Sequence, residues 1–167
     1  IVLSRQKILN LEFDPTIQSN FLLQAETNFP NCINFIYDFQ DRGIFFGVTP
    51  ETLFKIEGKK LYSEALAGTF KSSSSIKPLK GSKELDEHNF VVEYLKEKIS
   101  EISNDIKWNQ TPKLIHLNKM SHLKTKFTSN IKNNINPFKI ICQLHPTPAV
   151  CGTPKNIAMN QISQFEE

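Results

Sequence analysis

The chain has 167 residues, 39% of them hydrophobic and 22% charged, enough for one domain with a real core and typical of ordinary soluble globular proteins. No stretch approaches the ~20 apolar residues needed to cross a bilayer, and no charged-then-apolar leader opens the chain. The net charge of +3 comes from scattered lysines with only Arg5 and Arg42 beside them, which argues against a nucleic-acid reader, where clustered arginines make bidentate contacts. Three cysteines, Cys32, Cys142 and Cys151, show neither a paired nor a zinc-ligand spacing and point to a reducing compartment.

In chain order, Ile1 to Ile8 alternates loosely and is predicted as a strand. Pro15 to Thr27 is predicted as a helix, with Asp14 as cap and Pro15 at its first position. A meander of short antiparallel strands follows at 32–39, 43–48, 52–56 and 59–63, with turns at Asp41-Arg42-Gly43 and Glu57-Gly58. Ser72 to Ser75, with Lys77-Pro78, is predicted as a low-complexity loop. The long helix is predicted from Ser82, its cap, to Ile102. Leu85, Val92, Leu95 and Ile99 form one apolar face of it, and Phe90, Val91 and Tyr94 a second. Glu87 projects between Val91 and Tyr94, outside the solvent stripe, with Glu84 and His88 also off that stripe. A carboxylate turned toward an apolar surface is costly unless it is paired or metal-bound, so the geometry marks a candidate site. Strands at 113–117 and 123–129 and helices at 137–144 and 154–165 complete the chain. Strands interleaved with helices, without a steady βαβ alternation, predict an α+β fold of antiparallel sheet layers with helices packed outside. Residues 1–167 are expected to form a single partial domain.

The run Leu144-His145-Pro146-Thr147-Pro148-Ala149-Val150-Cys151-Gly152 is a backbone-shaping segment. Its prolines fix φ, and Gly152 permits a close approach or a positive φ before Pro154 opens a helix. Five further segments stand in order: Ile1-Val2-Leu3-Ser4-Arg5, Gly47-Val48-Thr49-Pro50-Glu51, Ala67-Gly68-Thr69, Lys83-Glu84 with Glu87-His88, and Ser121-His122-Leu123. In this order and combination the chain resembles the chorismate-utilising enzymes, and within them the isochorismate synthases. The resemblance covers essentially all the residues and implies a piece of such an enzyme, lacking its N-terminal part and its C-terminal strands.

The resemblance also implies a reaction and a set of residue roles. The reaction is the Mg2+-dependent interconversion of chorismate and isochorismate, with a product that feeds menaquinone or phylloquinone, or siderophore or salicylate synthesis. By the same resemblance, Glu51 is the general acid for the departing C4 hydroxyl, a task that needs a carboxyl with a raised pKa; Phe45, Phe46 and Phe54 are expected to bury it. Glu87 is a magnesium ligand whose partner ligand lies outside the chain, and Glu84 acts from behind it. Gly68, Thr69, His122, Ala149, Val150 and Gly152 bind the substrate, while His145 and Cys151 serve loop structure. Ala149 and His145 favour isochorismate synthases over salicylate and anthranilate synthases. The expected partner is the small molecule alone, with no nucleic acid and no membrane, in the cytoplasm or a plastid.

Two departures stand out. The family's general-base lysine would precede Ile1, so the piece by itself is expected to be inactive. Residues 70–82 between Thr69 and Lys83 are fewer than the family commonly has. The alternatives are a salicylate or anthranilate synthase-like activity, or a non-catalytic binding domain derived from the family.

Overall fold

The computed structural model describes residues 1–4, 7, 14–71, 82–117, 120–133 and 135–166. The chain forms two compact units, Gln6–Glu51 and Thr52–Glu167 with Ile1–Arg5.

In the smaller unit, α1 (Pro15–Asn28) starts where its sequence directs. The Asp14 carboxylate accepts from the Ile17 amide at 2.9 Å, and Pro15 occupies the first turn, where no amide is needed. Strands β1 (Ile33–Asp38) and β2 (Ile44–Thr49) form an antiparallel hairpin that runs in register from Ile33↔Thr49 to Asp38↔Ile44. Phe21 of α1 packs edge-on against Phe46 at 4.8 Å. On the other hairpin face the Phe35 ring lies over Gly47, where a Cβ would come within 2.8 Å of Phe35 Cζ.

The larger unit is one five-stranded antiparallel sheet with α2 (Lys83–Ile102) against one face. Strands β3 (Lys55–Glu57), β4 (Lys60–Lys71), β7 (Met120–Ile131) and β5 (Ser103–Trp108) lie in that order, and β6 (Lys113–Leu117) pairs with the other end of β7. The two long strands hold the sheet together, in register from Lys60↔Asn130 to Lys71↔Met120 with one shift between Ala67 and Thr69. Strict alternation sorts β7 into two faces. Ser121, Leu123, Thr125, Phe127 and Ser129 are buried, while His122, Lys124, Lys126, Thr128 and Asn130 take the opposite face. On α2 the buried positions His88, Val91, Val92, Leu95, Ile99 and Ile102 recur at helical spacing. They meet Leu61, Ala65 and Phe127 of the sheet and Ile140 and Leu144 of α3 (Pro137–Leu144) in one apolar core. Each such large side chain contributes about 1.5–3 kcal/mol on burial. Helix α4 (Lys155–Phe165) ends the described chain.

The α+β class and the helix predictions hold, and several strands differ. Ile1 to Ser4 carries no strand, and Arg5, Gln6 and Ile8 lie outside the described residues, as does the loop predicted at Ser72 to Ser75 with Lys77-Pro78. The strand predicted at 52–56 forms at Lys55–Glu57, and the one predicted at 59–63 runs on to Lys71. Strand β5 has no counterpart among the sequence predictions. Phe90, predicted as part of an apolar face, is 56% exposed.

Candidate active site

The sheet and α2 meet at Gly68. A β-bulge between Ala67 and Thr69 gives Gly68 a φ of +74°, and a Cβ there would lie 2.4 Å from the Glu84 carbonyl oxygen. Only glycine lets the first turn of α2 lie so close to the strand. That turn is fixed by Ser82, whose hydroxyl accepts from the Leu85 amide at 3.3 Å. Gly68 is therefore part of the strand, not its end, and the bulge re-aims the next residue. Thr69 stands opposite His122 on β7, and its Oγ1 lies 3.2 Å from His122 Nδ1. Burial pushes the His122 imidazole below its ordinary value of 6.5, which favours the uncharged ring near neutral pH.

His88 points the other way, into the unit. It is fully buried, and its Nε2 lies 2.8 Å from Thr125 Oγ1. Its Nδ1 has no partner in hydrogen-bond geometry, although the Ala67 backbone is close enough to act on the ring. Burial is the larger influence and pushes this imidazole down as well.

Glu87 departs from its expected setting. Its side chain is 48% exposed and pairs with Lys83 at 3.3 Å along the helix, so the inward position belongs to His88, one residue on. A helix turns 100° per residue, and a projection without the sheet in place misassigns that step. Glu84 is half-buried at the turn against Gly68. No three His, Cys, Asp or Glu side chains gather as a metal cluster among the described residues. The donors that α2 offers there are the carboxylates of half-buried Glu84 and of Glu87, which is paired with Lys83, hard oxygen ligands of the kind that Mg2+ takes.

The closing loop meets the start of the chain. Gly152 has a φ of +114°, and a Cβ there would fall 2.6 Å from Ile1 Cα and 2.8 Å from Ile1 N. The Val2 amide donates to the Cys151 carbonyl at 2.9 Å. The first and last of the motifs thus lie side by side. Ala149 is half-buried and packs against the apolar core, whereas Val150 is 50% exposed. Cys151 is buried, and the His145 carbonyl accepts from Lys155 Nζ at 2.8 Å, in line with structural roles for both.

Glu51 closes the smaller unit. It is half-buried, and its amide donates to Thr49 Oγ1 at 3.2 Å. Phe45 and Phe46, expected to be burying groups, are 59% and 40% exposed, while Phe54 packs on the core of the larger unit.

Two charged residues outside the sequence motifs share the Thr69–His122 face. Glu64 and Lys124 pair at 2.6 Å, each with a side chain only 18% exposed. Their signal in the sequence is one acid in the apolar run of β4 and a lysine in phase with His122 on β7. A hollow of about 900 Å3 lies elsewhere, along Asp86, Phe90, Glu93, Tyr94 and Trp108 on the outer side of α2. It contains none of the motif residues.

A family model described as "Chorismate binding enzyme" matches residues 1–167. The isochorismate synthase EntC of Escherichia coli K12 is 30% identical over 99% of this chain, which spans 44% of that relative. Among solved structures, DhbC from Bacillus anthracis superposes with a TM-score of 0.81 at 28% identity, over 89% of this chain and 43% of that one. The menaquinone-specific isochorismate synthase MenF of Escherichia coli gives a TM-score of 0.74 at 26% identity, over 86% of this chain and 35% of that one. The chain thus spans less than half the length of the relatives it matches. With its motifs in order and its fold shared, it belongs to the family of chorismate binding enzymes.

Proposed function

We propose that the protein containing this chain is an isochorismate synthase, converting chorismate to isochorismate and back. The observation that carries this reading is the Gly68 bulge, which presents Thr69 and an uncharged His122 together beside the start of α2. The names of the relatives support the same reading.

In this mechanism a water adds at ring C2, the ring double bonds shift, and the C4 hydroxyl departs as water with a proton from Glu51. The lysine that family resemblance implies before Ile1 takes the proton of the attacking water. Support for that position comes from Gly152, whose bare Cα leaves room for the Ile1 backbone at the closing loop. Gly68 and Thr69 offer an amide and a hydroxyl to the substrate, and His122 offers a neutral ring nitrogen. Ala149, Val150 and Gly152 are proposed to line the closing side. Glu87, with Glu84 beside it, would hold Mg2+, which would supply positive charge to offset a carboxylate of the substrate. Residues 1–167 then form part of one catalytic domain. A cytoplasmic or plastid location goes with this reading, supported by three unbridged cysteines. The product would enter menaquinone or phylloquinone, or siderophore or salicylate synthesis.

The test is Glu51→Gln in the full-length protein, which removes a proton and keeps the shape. Isochorismate formation, followed by HPLC, is expected to fall by roughly 10²–10⁴-fold while chorismate binding persists. A variant turning over at near the parent rate overturns the assignment of Glu51. A parent that yields pyruvate with salicylate or anthranilate instead overturns the reaction.

A further inference from the structure

The sheet face that carries Thr69 and His122 also carries an ion pair that the proposed chemistry does not use. Strand period two puts His122, Lys124 and Lys126 on one side of β7. Across β4 their register partners are Thr69, Leu66 and Glu64, and across β6 Lys113 stands opposite Lys124. Lys124 Nζ lies 2.6 Å from Glu64 Oε2, and Lys126 Nζ lies 4.0 Å from Glu64 Oε1. Their exposures differ sharply: the Lys124 side chain is 18% exposed and that of Lys126 is 67% exposed. One carboxylate therefore faces two lysines, with Lys113 beyond them on β6, and the patch keeps a net positive charge. A half-buried pair also has fewer conformations to lose and is less screened by salt than a surface pair.

We propose that Lys124, held in place by Glu64, anchors a carboxylate of the substrate seated on Thr69 and His122. The inference rests on the reading of the protein as a chorismate-converting enzyme and adds a binding residue to it. His122 cannot supply the charge, because burial favours its neutral form. Lys124 lies two residues along the same strand, roughly 7 Å from His122 between Cα atoms, close enough for one small dianion to span both. The neighbouring hollow of about 300 Å3, lined by Thr52, Lys55, Glu57, Tyr62 and Glu64, offers no better cation. Lys55 there is 65% exposed and engaged by Glu57 at 2.6 Å. Glu64 is a positioning residue: it aims the Lys124 ammonium and moderates the patch, so that a carboxylate is held without being trapped.

The experiment uses the full-length protein, with chorismate as the probe. Turnover gives KM and kcat, and calorimetry gives the dissociation constant. Lys124→Met keeps the stem and removes the charge, and Glu64→Gln/Lys124→Met removes both charges so that no buried carboxylate is left alone. In both variants KM and Kd are expected to rise about tenfold or more, as for loss of a charge-assisted contact, with kcat changed by less than about threefold. Lys124→Arg is expected to recover most of the affinity. A folded double variant with KM and Kd within about twofold of the parent overturns the anchor, and so does a loss confined to kcat. If the single variant does not fold, the double variant and Lys124→Arg decide. A parent that binds chorismate without making isochorismate overturns the functional reading and leaves the anchor standing. A parent that does not bind chorismate overturns both.

Discussion

At the scale of single residues, Gly68 concentrates two independent constraints. Its φ of +74° disfavours any L side chain, and a Cβ would sit 2.4 Å from the Glu84 carbonyl oxygen, which belongs to backbone and cannot swing away. Gly68→Ala is therefore expected to cost about 2 kcal/mol or more and to pull α2 off the bulge. Thermal melting and chorismate binding should both report it; a melting point within about 2 °C of the parent contradicts the close approach. The two histidines around the bulge carry a different prediction. Both are pushed below 6.5 by burial, so between their folded values and 6.5 the unfolded chain binds more protons than the folded one. Stability is then fully present above about pH 6.5 and falls as the pH drops through that window, by at most about 1.4 kcal/mol per pH unit per histidine. Urea midpoints at pH 8 and pH 5, without divalent cations, should fall less in His88→Gln/His122→Gln than in the parent. Equal falls would show that neither ring is held neutral by the fold.

At the scale of elements, sequence signals work where they are local and fail where a partner decides. The capped starts of α1 and α2 are legible because Asp14 and Ser82 accept from amides three residues ahead. The sequence predicts an end at Ser63 for strand β4 because Glu64-Ala65-Leu66-Ala67-Gly68 has little β propensity; pairing with β7 along its whole length overrides that preference. Strand β5 has the polar sequence Ser103-Asn104-Asp105-Ile106-Lys107-Trp108, and its place at the sheet edge is secured by Asp105, which accepts from the Asn130 amide at 2.9 Å and its Nδ2 at 3.1 Å. No alternation along the chain announces such a strand. The motif residues are legible as a set, and the structure brings Gly68, Thr69 and His122 together while putting Glu87 in solvent and His88 inside. That one-residue difference depends on where the sheet lies, which a helical projection does not contain. Glu64 and Lys124 are illegible for a related reason, since their pairing follows from register and not from spacing.

At the scale of the whole molecule, the chain spans 44% of EntC, and the proposed Mg2+ site rests on few of its residues. Among the described residues no three acidic, histidine or cysteine side chains converge, and Glu87 has Lys83 for a neighbour. Residues 1–167 alone are expected to bind Mg2+ only weakly by calorimetry, and Glu87→Ala in the full-length protein to raise the Mg2+ concentration needed for half-maximal turnover. Tight one-to-one binding by residues 1–167 without substrate would contradict the assignment of a single direct ligand. The seat of Ile1 on Gly152 has a consequence for how the protein is made. The contact joins positions about 150 residues apart, so during synthesis the Val2 amide waits for a carbonyl that the ribosome has yet to add. Local helices can form as they emerge, but this junction can close only once Cys151 and Gly152 have been added, against the loop-closure cost of a long-range contact. Until then the growing chain carries the earlier motifs without the loop against which its first residues pack.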